Sequence, residues 1–320
     1  MHKLYSNKTV IFLLILPAVA FFVFAILAPI CLSVYYGMTD YSGMGTPNFV
    51  GFDNFINLFH DEIFWRSLLN AVLLGAGFVF IQHPVCMLFA ILLDKVSGKF
   101  ESFFRTVYFI PNVISVVVIA SMWVYILNPE FGLLNTILIK VGLPQLAQEW
   151  LGDPKVAIWS VLFVLMWHGF GWGVLIYYAG IKGIDTQLYE AAAIDGASEF
   201  KIYMRITMPL MKPVIQVNVT LAIIAALKQM DTVYLLTNGG PGNTTQFLAN
   251  YLYIKAFNSY QYGYGNAISV IFVIVCLVAT VGLTALFKER RKRNKKELAA
   301  GGLTALFKER KKKRTVKEGL

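Results

Sequence analysis

Charged residues are scarce in this sequence of 320 residues. They make up 14% of the chain, whereas apolar residues make up 57%. Soluble domains ordinarily contain about 25% charged residues and about 45–50% apolar residues. The apolar excess is gathered into long runs that contain almost no charge, and runs of about 20 such residues are what a bilayer requires of a helix that crosses it. The composition therefore excludes an ordinary soluble globular protein.

Six apolar runs predict an all-α membrane protein with about six transmembrane helices. The runs are Val10–Tyr36, Ser67–Leu93, Thr106–Leu127, Val156–Gly180, Val214–Leu236 and Ala267–Phe287. Prolines occur inside the first two runs, and membrane helices tolerate them. A signal peptide is the alternative for the first run, but this run is too long and lacks a small-residue cleavage site. We expect a membrane domain at residues 1–287 and a basic, disordered tail at residues 288–320.

Sequence signals for catalysis or a metal are few. The three cysteines, Cys31, Cys86 and Cys276, lie inside predicted spans and have neither a disulfide nor a metal-ligand spacing. His83 and His168 have no neighbouring acid, so we interpret them as buried, hydrogen-bonded side chains rather than proton relays. No G-x-x-x-x-G-K-[ST] segment occurs, which argues against an ATP site of this type in the chain. The glycines of His168–Gly173 favour close helix packing. An enzyme is disfavoured.

Lysine and arginine predict the orientation, because positive residues in short loops remain in the cytosol. Alternate loops differ strongly in their number of basic residues, and the side that holds Lys95, Lys182 and Arg205 is the basic one. Both termini fall on that side. The tail accounts for the whole net charge of +10. Its position beside a helix indicates an anchor or a contact with anionic lipid, not nucleic-acid binding. The tail also repeats GLTALFKER, at 282–290 and 302–310, and we exclude the second copy from functional inference.

The loop between the fourth and fifth runs, at 181–213, has unusual features. An alanine-rich helix is predicted at Tyr189–Ile194, and Gly196 could end it in a left-handed turn. Ser198 could cap a second short helix at Glu199–Met204, which Pro209 would limit. A thin helix displayed on the basic side is suited to contact with another protein.

The same loop resembles the EAA motif of permease subunits of ABC importers, E-A-A-x-x-x-G-x9-I-x-L-P. The matching positions are Glu190, Ala191, Ala192, Gly196, Ile206 and Pro209. Met208 stands where the family usually has leucine, a volume-conserving exchange. The resemblance implies that Glu190, Ala191, Ala192, Asp195 and Gly196 couple the chain to an ATPase. It also implies that Ile206 and Pro209 hold the following span to the loop.

Segments elsewhere are similar to the carbohydrate-importer branch of this family, and to the first, maltose-type permease within it. They are Phe49–Phe55, Phe103–Ser115, Trp123–Asn135, Trp150–Pro154 and Asp231–Thr245. The resemblance implies a plasma-membrane complex of bacterial type with a second permease and two ATPase subunits, which bind ATP and Mg. It also implies an extracytoplasmic solute-binding protein that delivers a carbohydrate. The chain itself would hold no cofactor and no metal.

The substrate pathway is predicted from polar and aromatic residues in the fourth and fifth runs. The candidates are Trp172, Tyr177, Asn218, Gln229, Asp231 and Tyr234. Such groups can stack on and hydrogen-bond to a sugar, although aromatic residues also form interfacial belts. Lys228 and Asp231 are three residues apart, so one helical face would hold both, either as a pair or facing substrate. Asn238–Gly242 predicts an extracytoplasmic turn where a binding protein could dock.

Other functions remain open from the sequence. A permease for a different solute, such as a glycerophosphodiester or polyol, would have the same loop. An autonomous secondary transporter would show inverted repeats, and we detect none. Transport by the chain without an ATPase would favour that alternative.

Overall fold

A computed structural model describes residues 8–285 and residue 287. In this part of the chain the regular structure is helical apart from one isolated bridge between Thr39 and Phe49, which confirms the all-α prediction. The chain divides into the units Met1–Cys276 and Leu277–Leu320. The sites described below lie in the first unit. The predicted tail at 288–320, including the second GLTALFKER copy, lies outside the described residues.

Five helices are long and apolar enough to cross a membrane, and a bent pair brings the number to six among the described residues. These helices are α1 (Thr9–Gly37), α3 (Glu62–Asp94), the pair α4 (Lys99–Val113) and α5 (Val116–Ile126), α7 (Ala157–Lys182), α9 (Glu199–Leu227) and α12 (Tyr262–Ala285). Shorter helices connect them: α2 (Asp53–His60), α6 (Leu133–Lys140), α8 (Thr186–Ile194), α10 (Asp231–Leu236) and α11 (Leu248–Tyr253).

The third predicted span, Thr106–Leu127, is not one straight helix. The helix stops at Val113, and α5 continues at an angle of 94° to α4. Pro111 and the extended backbone of Ile114 and Ser115 mark the break. A proline inside a helix removes one backbone hydrogen bond and clashes with the preceding turn. Hydropathy detects only the summed apolar length, which is why the sequence predicted a single span.

Three long helices widen by one π turn immediately before a proline. The turns are Val23–Leu27, Phe78–Gln82 and Tyr203–Thr207, and the second residue after each is Pro29, Pro84 or Pro209. A wider turn relieves the clash between the proline ring and the carbonyl four residues earlier. The helices therefore pass through these prolines. The expectation that Pro209 limits a short second helix is wrong, because Glu199–Leu227 is one helix.

The end of α9 corrects the fifth predicted span, Val214–Leu236. α9 ends at Leu227, Lys228 caps it, and a separate helix starts at Asp231. Lys228 and Asp231 therefore do not share a helical face. Both side chains are exposed, and no salt bridge joins them. The apolar run continued across the break because α10 is itself apolar.

Glycines on α7 bring its neighbours close, as the sequence predicted. A Cβ on Gly171 would lie 1.8 Å from the carbonyl oxygen of Tyr108 in α4. A Cβ on Gly173 would lie 2.8 Å from the sulfur of Cys86 in α3. Cys86 is fully buried and donates to the carbonyl of Phe170, so it packs as an apolar residue. None of the three cysteines, which all lie in the described part of the chain, forms a disulfide bond.

Candidate functional site

The loop helix α8 has well-defined ends. Asp185 caps its start and accepts a hydrogen bond from the amide of Gln187 at 3.0 Å. At its end the amide of Ala197 bonds to the carbonyl of Ala192, and that of Gly196 bonds to Ala193. This pair of bonds is the Schellman motif, which requires a left-handed residue after the helix. Gly196 has φ +72°, so the predicted turn is confirmed, although α8 begins three residues before the predicted Tyr189.

The surface of α8 is open. Glu190, Ala191, Asp195 and Gly196 are exposed, and Ala192 is half-buried. Large apolar side chains stand beside them: Ile194 is 87% exposed and Phe200 is 76% exposed. Ile194 lies outside the apolar spans, where water makes such exposure unfavourable, and Phe200 lies in the first turn of α9. Large exposed apolar side chains beside an open loop helix indicate a contact with another protein.

Polar contacts tie α8 and the start of α9 to other helices. The hydroxyls of Tyr189 and Thr207 lie 3.1 Å apart, next to the half-buried Ile206 and the exposed Pro209. Lys95, which follows α3, forms an ion pair with Glu199, and this hydrogen bond raises the pKa of Lys95. The end of α3, the end of α7 and the start of α9 therefore share one end of the bundle, which we call the α8 side.

A cavity of 280 Å³ lies between α3, α7 and α9. Polar side chains on its wall come from four helices, since Asn112 of α4 joins the others. The lining residues are Phe78, Gln82, His83, Asn112, Leu165, His168, Gly169, Trp172, Gly173, Asn218, Leu221, Ala222, Ala225 and Gln229. None of the lining residues is an aspartate, a glutamate, a lysine or an arginine. The cavity wall is therefore largely apolar, with amide and imidazole side chains set into it.

Three residues of this cavity wall each have a buried polar atom without a hydrogen-bond partner in the described part of the chain: Nε2 of His83, Nδ2 of Asn112 and Nδ2 of Asn218. A buried polar group left unpaired costs about 1–3 kcal/mol. Few such groups remain in native proteins, and a bound molecule is one explanation for them. Since three converge on one cavity, they indicate a site for a ligand with hydrogen-bonding oxygens.

The predicted pathway residues separate into two groups. Trp172, Asn218 and Gln229 line the cavity, and the hydroxyl of the buried Tyr177 lies 2.9 Å from Nδ1 of His83. Asp231 and Tyr234 do not line the cavity. Asp231 is exposed at the start of α10, and the ring of Tyr234 packs on that of Tyr253 with centroids 5.4 Å apart.

The sequence interpretation missed four polar residues on the cavity wall: Gln82, His83, Asn112 and His168. The prediction that His83 is buried and hydrogen-bonded is confirmed, yet the same ring also faces the cavity. A usable signal was present, because each of the four interrupts an apolar run, and polar residues inside membrane helices favour cavities.

At the opposite end of the bundle, the α2 side, buried polar contacts hold the loops. Nδ2 of Asn70 donates to the carbonyls of Thr244 and Gln246, each at 2.8 Å. Asn238 has φ +50° and Gly239 φ +86°, so the predicted turn at Asn238–Gly242 is present. Asp61 accepts hydrogen bonds from the hydroxyls of Tyr251 and, at 2.6 Å, Tyr264.

No group of histidine, cysteine and acidic side chains in the described part of the chain could hold a metal ion.

Comparisons with known proteins place this arrangement in a family. A "Probable ABC transporter permease protein YurN" of Bacillus subtilis is 37% identical over 290 residues, covering 88% of this chain and 97% of the relative. A "Diacetylchitobiose uptake system permease protein NgcF" of Streptomyces coelicolor is 35% identical and covers 87% of this chain and 82% of the relative. An "Arabinooligosaccharides transport system permease protein AraP" of Bacillus subtilis is 32% identical, covering 87% and 88%.

A solved bacterial ABC transporter involved in import of the acidic polysaccharide alginate has the same fold. Its TM-score is 0.76 at 24% identity, over 90% of this chain and 98% of that chain. Residues 86–293 match the family described as the binding-protein-dependent transport system inner membrane component. With the membrane helices and the EAA loop already in place, the chain belongs to this family and is an integral-membrane permease of an ABC transporter.

Proposed function

We propose that this chain forms half of the translocation pathway of an ATP-driven importer for an uncharged sugar or oligosaccharide. The observation that carries the proposal is the display of α8 on an open loop with exposed apolar neighbours, in a bundle that also holds a cavity with amide and imidazole groups on its wall. In this proposal the loop binds an ATPase, and the cavity binds the solute.

The EAA residues are the coupling positions in this proposal. The exposed Glu190, Ala191, Asp195 and Gly196 contact the ATPase directly, whereas Ala192 lies at the base of the turn. The π turn at Tyr203–Thr207 and Pro209 lie within the first part of α9, and the same helix lines the cavity farther along. Closure of the ATPase dimer on ATP would then move α9, and the free energy of ATP binding would shift the populations of two helix arrangements.

The α8 side faces the cytosol, and the α2 side faces outward. Lys95, Lys182 and Arg205 lie at or beside the α8 end, and positive residues near span ends remain in the cytosol. With this orientation both termini are cytosolic, in a plasma membrane of bacterial type. The basic tail would lie near anionic lipid headgroups.

The proposed partners are those of the family. A second, different permease provides the other half of the pathway, two ATPase subunits bind ATP and Mg below, and an extracytoplasmic binding protein delivers the solute. The chain is not itself a catalyst in this scheme and holds no cofactor. No nucleic acid takes part.

Two observations support a carbohydrate as the solute. The relatives named above include proteins named for uptake of diacetylchitobiose and of arabinooligosaccharides. The cavity provides the unpaired Nδ2 donors of Asn112 and Asn218 and the ring of Trp172, which suit the hydroxyl edges and C–H faces of a sugar. A glycerophosphodiester is less suitable, because its phosphate would meet no lysine or arginine there.

Reconstitution in proteoliposomes tests the function. The chain is combined with its second permease and ATPase, and uptake of a radiolabelled sugar is measured with its binding protein on the outside. We expect ATP-dependent uptake that requires every component. Uptake by the chain without an ATPase would contradict the proposal and favour a secondary transporter. Replacement of Asn218 with Leu should lower uptake about tenfold by removing one donor from the cavity.

A further inference from the structure

A polar groove of 520 Å³ opens on the α2 side, away from the membrane cavity. Its lining is mostly amides, hydroxyls and tyrosine rings, namely Thr39, Asp40, Tyr41, Ser42, Asn54, Asn57, Asp61, Lys255, Tyr260, Gln261, Gly263 and Tyr264. We propose that this groove is a second carbohydrate site, which holds one end of an uncharged oligosaccharide before the chain enters the membrane cavity. The proposal rests on the sugar-importer function proposed above.

The walls of the groove are fixed without a ligand. Nδ2 of Asn54 in α2 donates to the carbonyl of Thr39 at 2.8 Å, and the amide of Gly263 donates to the carbonyl of Tyr41 at 2.8 Å. Gly263 is required at this contact, because a Cβ there would lie 2.0 Å from the oxygen of Thr39. Three separate segments therefore meet in one preformed depression, as binding sites for small molecules usually do.

The floor of the groove is fixed as well. Asp61 accepts from Tyr251 and Tyr264 and from the amide of Ile63. The ammonium group of Lys255 lies 5.5 Å from the ring centroid of Tyr251 and 5.5 Å from that of Tyr264. Burial disfavours ionisation of Asp61, but the hydrogen bonds from the two hydroxyls outweigh it and lower its pKa. The carboxylate is thus charged and already paired.

Other polar groups of the groove have unused capacity. The amide side chains of Asn57 and Gln261 are exposed and make no hydrogen bond within the described part of the chain. Oδ1 of Asn54 is likewise free to accept, since both of its bonds use Nδ2. Amides donate and accept at one position, which matches the hydroxyl groups around a sugar ring.

Tyr260 provides an aromatic platform at the rim. Its side chain is 63% exposed, and its backbone has φ +55°. This left-handed conformation is unusual for a bulky residue. Strained residues of this kind concentrate at ligand-binding sites. Neither burial nor backbone preference requires the ring of Tyr260 to lie in the groove lining. The C–H face of a sugar could pack on this ring.

The charges in the groove favour a neutral ligand over an acidic one. The two carboxylates, Asp40 and Asp61, outnumber the single ammonium of Lys255. Asp40 is held by the amide and side chain of Asn48, so it remains charged. A uronate chain would therefore be repelled, whereas a neutral oligosaccharide would not.

Saturation-transfer NMR on the purified full chain in nanodiscs tests the site. The probes are maltohexaose, hexa-N-acetylchitohexaose and an oligouronate, with maltose as a short sugar. We expect transfer to at least one neutral hexasaccharide and none to the oligouronate. The replacement Tyr260→Ala should weaken binding about tenfold, because it removes the stacking ring, whereas Tyr260→Trp should retain it.

A matched control separates the groove from general aromatic exposure. Tyr125 is 66% exposed but lies outside the groove, so Tyr125→Ala should leave saturation transfer unchanged. Asn57→Ala provides a second variant with no backbone strain and should weaken binding in the same direction. Thermal unfolding of each variant verifies that it is folded.

The proposal fails if Tyr260→Ala and Asn57→Ala both bind the hexasaccharides like the parent chain. It also fails if these variants bind the hexasaccharides normally but no longer bind the solute-binding protein. The groove would then be a contact site for that protein. Failure of the sugar-importer function is a different result. The complete reconstituted complex would then take up no sugar, whether it contained the parent chain, Asn218→Leu or a groove variant. A working groove instead predicts that Tyr260→Ala reduces uptake of long oligosaccharides and leaves maltose uptake unchanged.

Discussion

The two ends of the helix bundle are held together by different interactions. On the α8 side, exposed ion pairs join the helices, such as Lys95 with Glu199, whose side chains are 46% and 75% exposed. On the α2 side, buried amides and tyrosines make the connections, such as Asn70 with the carbonyls of Thr244 and Gln246. Exposed pairs contribute only about 0–1 kcal/mol each, whereas an unsatisfied buried group is costly.

The different contacts at the two ends determine how each end responds when an ATPase moves the loop. Contacts that are weak and solvated can be exchanged at little cost when an ATPase moves the loop. Buried hydrogen bonds keep the outer loops in one arrangement. The α8 side is thus suited to motion, and the α2 side is suited to act as a fixed platform.

The largest expected effect is a loss of stability at the α2 side. Replacement of Asn70 with Leu leaves the carbonyls of the half-buried Thr244 and the buried Gln246 without their donor, so we expect a loss of about 2–4 kcal/mol in unfolding free energy. Thermal unfolding in detergent measures it. Asn57→Leu is the control, since this exposed amide makes no such bond, and it should change stability by less than about 0.5 kcal/mol. Equal effects of the two variants would remove the contrast between buried and exposed contacts.

The coupling role of the α8 side is tested at the turn after α8. Gly196→Val places a β-branched residue at φ +72°, which costs about 1–2 kcal/mol and should distort the Schellman turn. Uptake by the reconstituted complex should fall at least about tenfold, with less ATPase co-purified. Gly142 has φ +82° and equally open surroundings, so Gly142→Val is the matched control in a loop outside the EAA segment. Normal uptake and normal ATPase recovery with Gly196→Val would refute the coupling assignment.

The pH dependence of the fixed end follows from Asp61. Burial raises the pKa of this carboxyl, but the hydrogen bonds from Tyr251 and Tyr264 lower it further, to below its ordinary value of 3.8. A lowered folded-state pKa stabilises the protein above the unfolded-state pKa, and this stabilisation is lost as the pH falls through the folded-state value. The melting temperature of the parent chain should therefore exceed that of Asp61→Asn at neutral pH. The gap should narrow below about pH 4, and a constant gap would show that ionisation is not involved.

The smallest expected effect is at the ion pair of Lys182 and Asp94, 2.9 Å apart. Lys182→Ala should cost less than about 1 kcal/mol, and salt should reduce the difference because the pair is partly exposed. Melting temperatures at low and high salt measure this. A loss as large as that of Asn70→Leu would show that the α8 side is as firmly held as the α2 side.

Hydropathy predicted where helices lie but not where they break. The breaks at Ile114–Ser115 and at Lys228–Met230 lie within apolar runs, so apolar length alone did not locate them. The loop was predicted well, because Ala-rich sequence, Gly196 and the EAA spacing are local features. The cavity was predicted in part: Trp172, Asn218 and Gln229 line it, whereas Asp231 and Tyr234 do not.

The sequence by itself determined the all-α membrane architecture, the turn at Gly196 and the family. These properties depend on apolar length, on backbone preference at one residue and on a short spaced motif, all of which are local along the chain. Only the tertiary structure decided which polar residues share a cavity. His83, Asn112 and Asn218 come from three helices far apart in sequence, and their convergence depends on the close approach of α4 and α7 at Gly171.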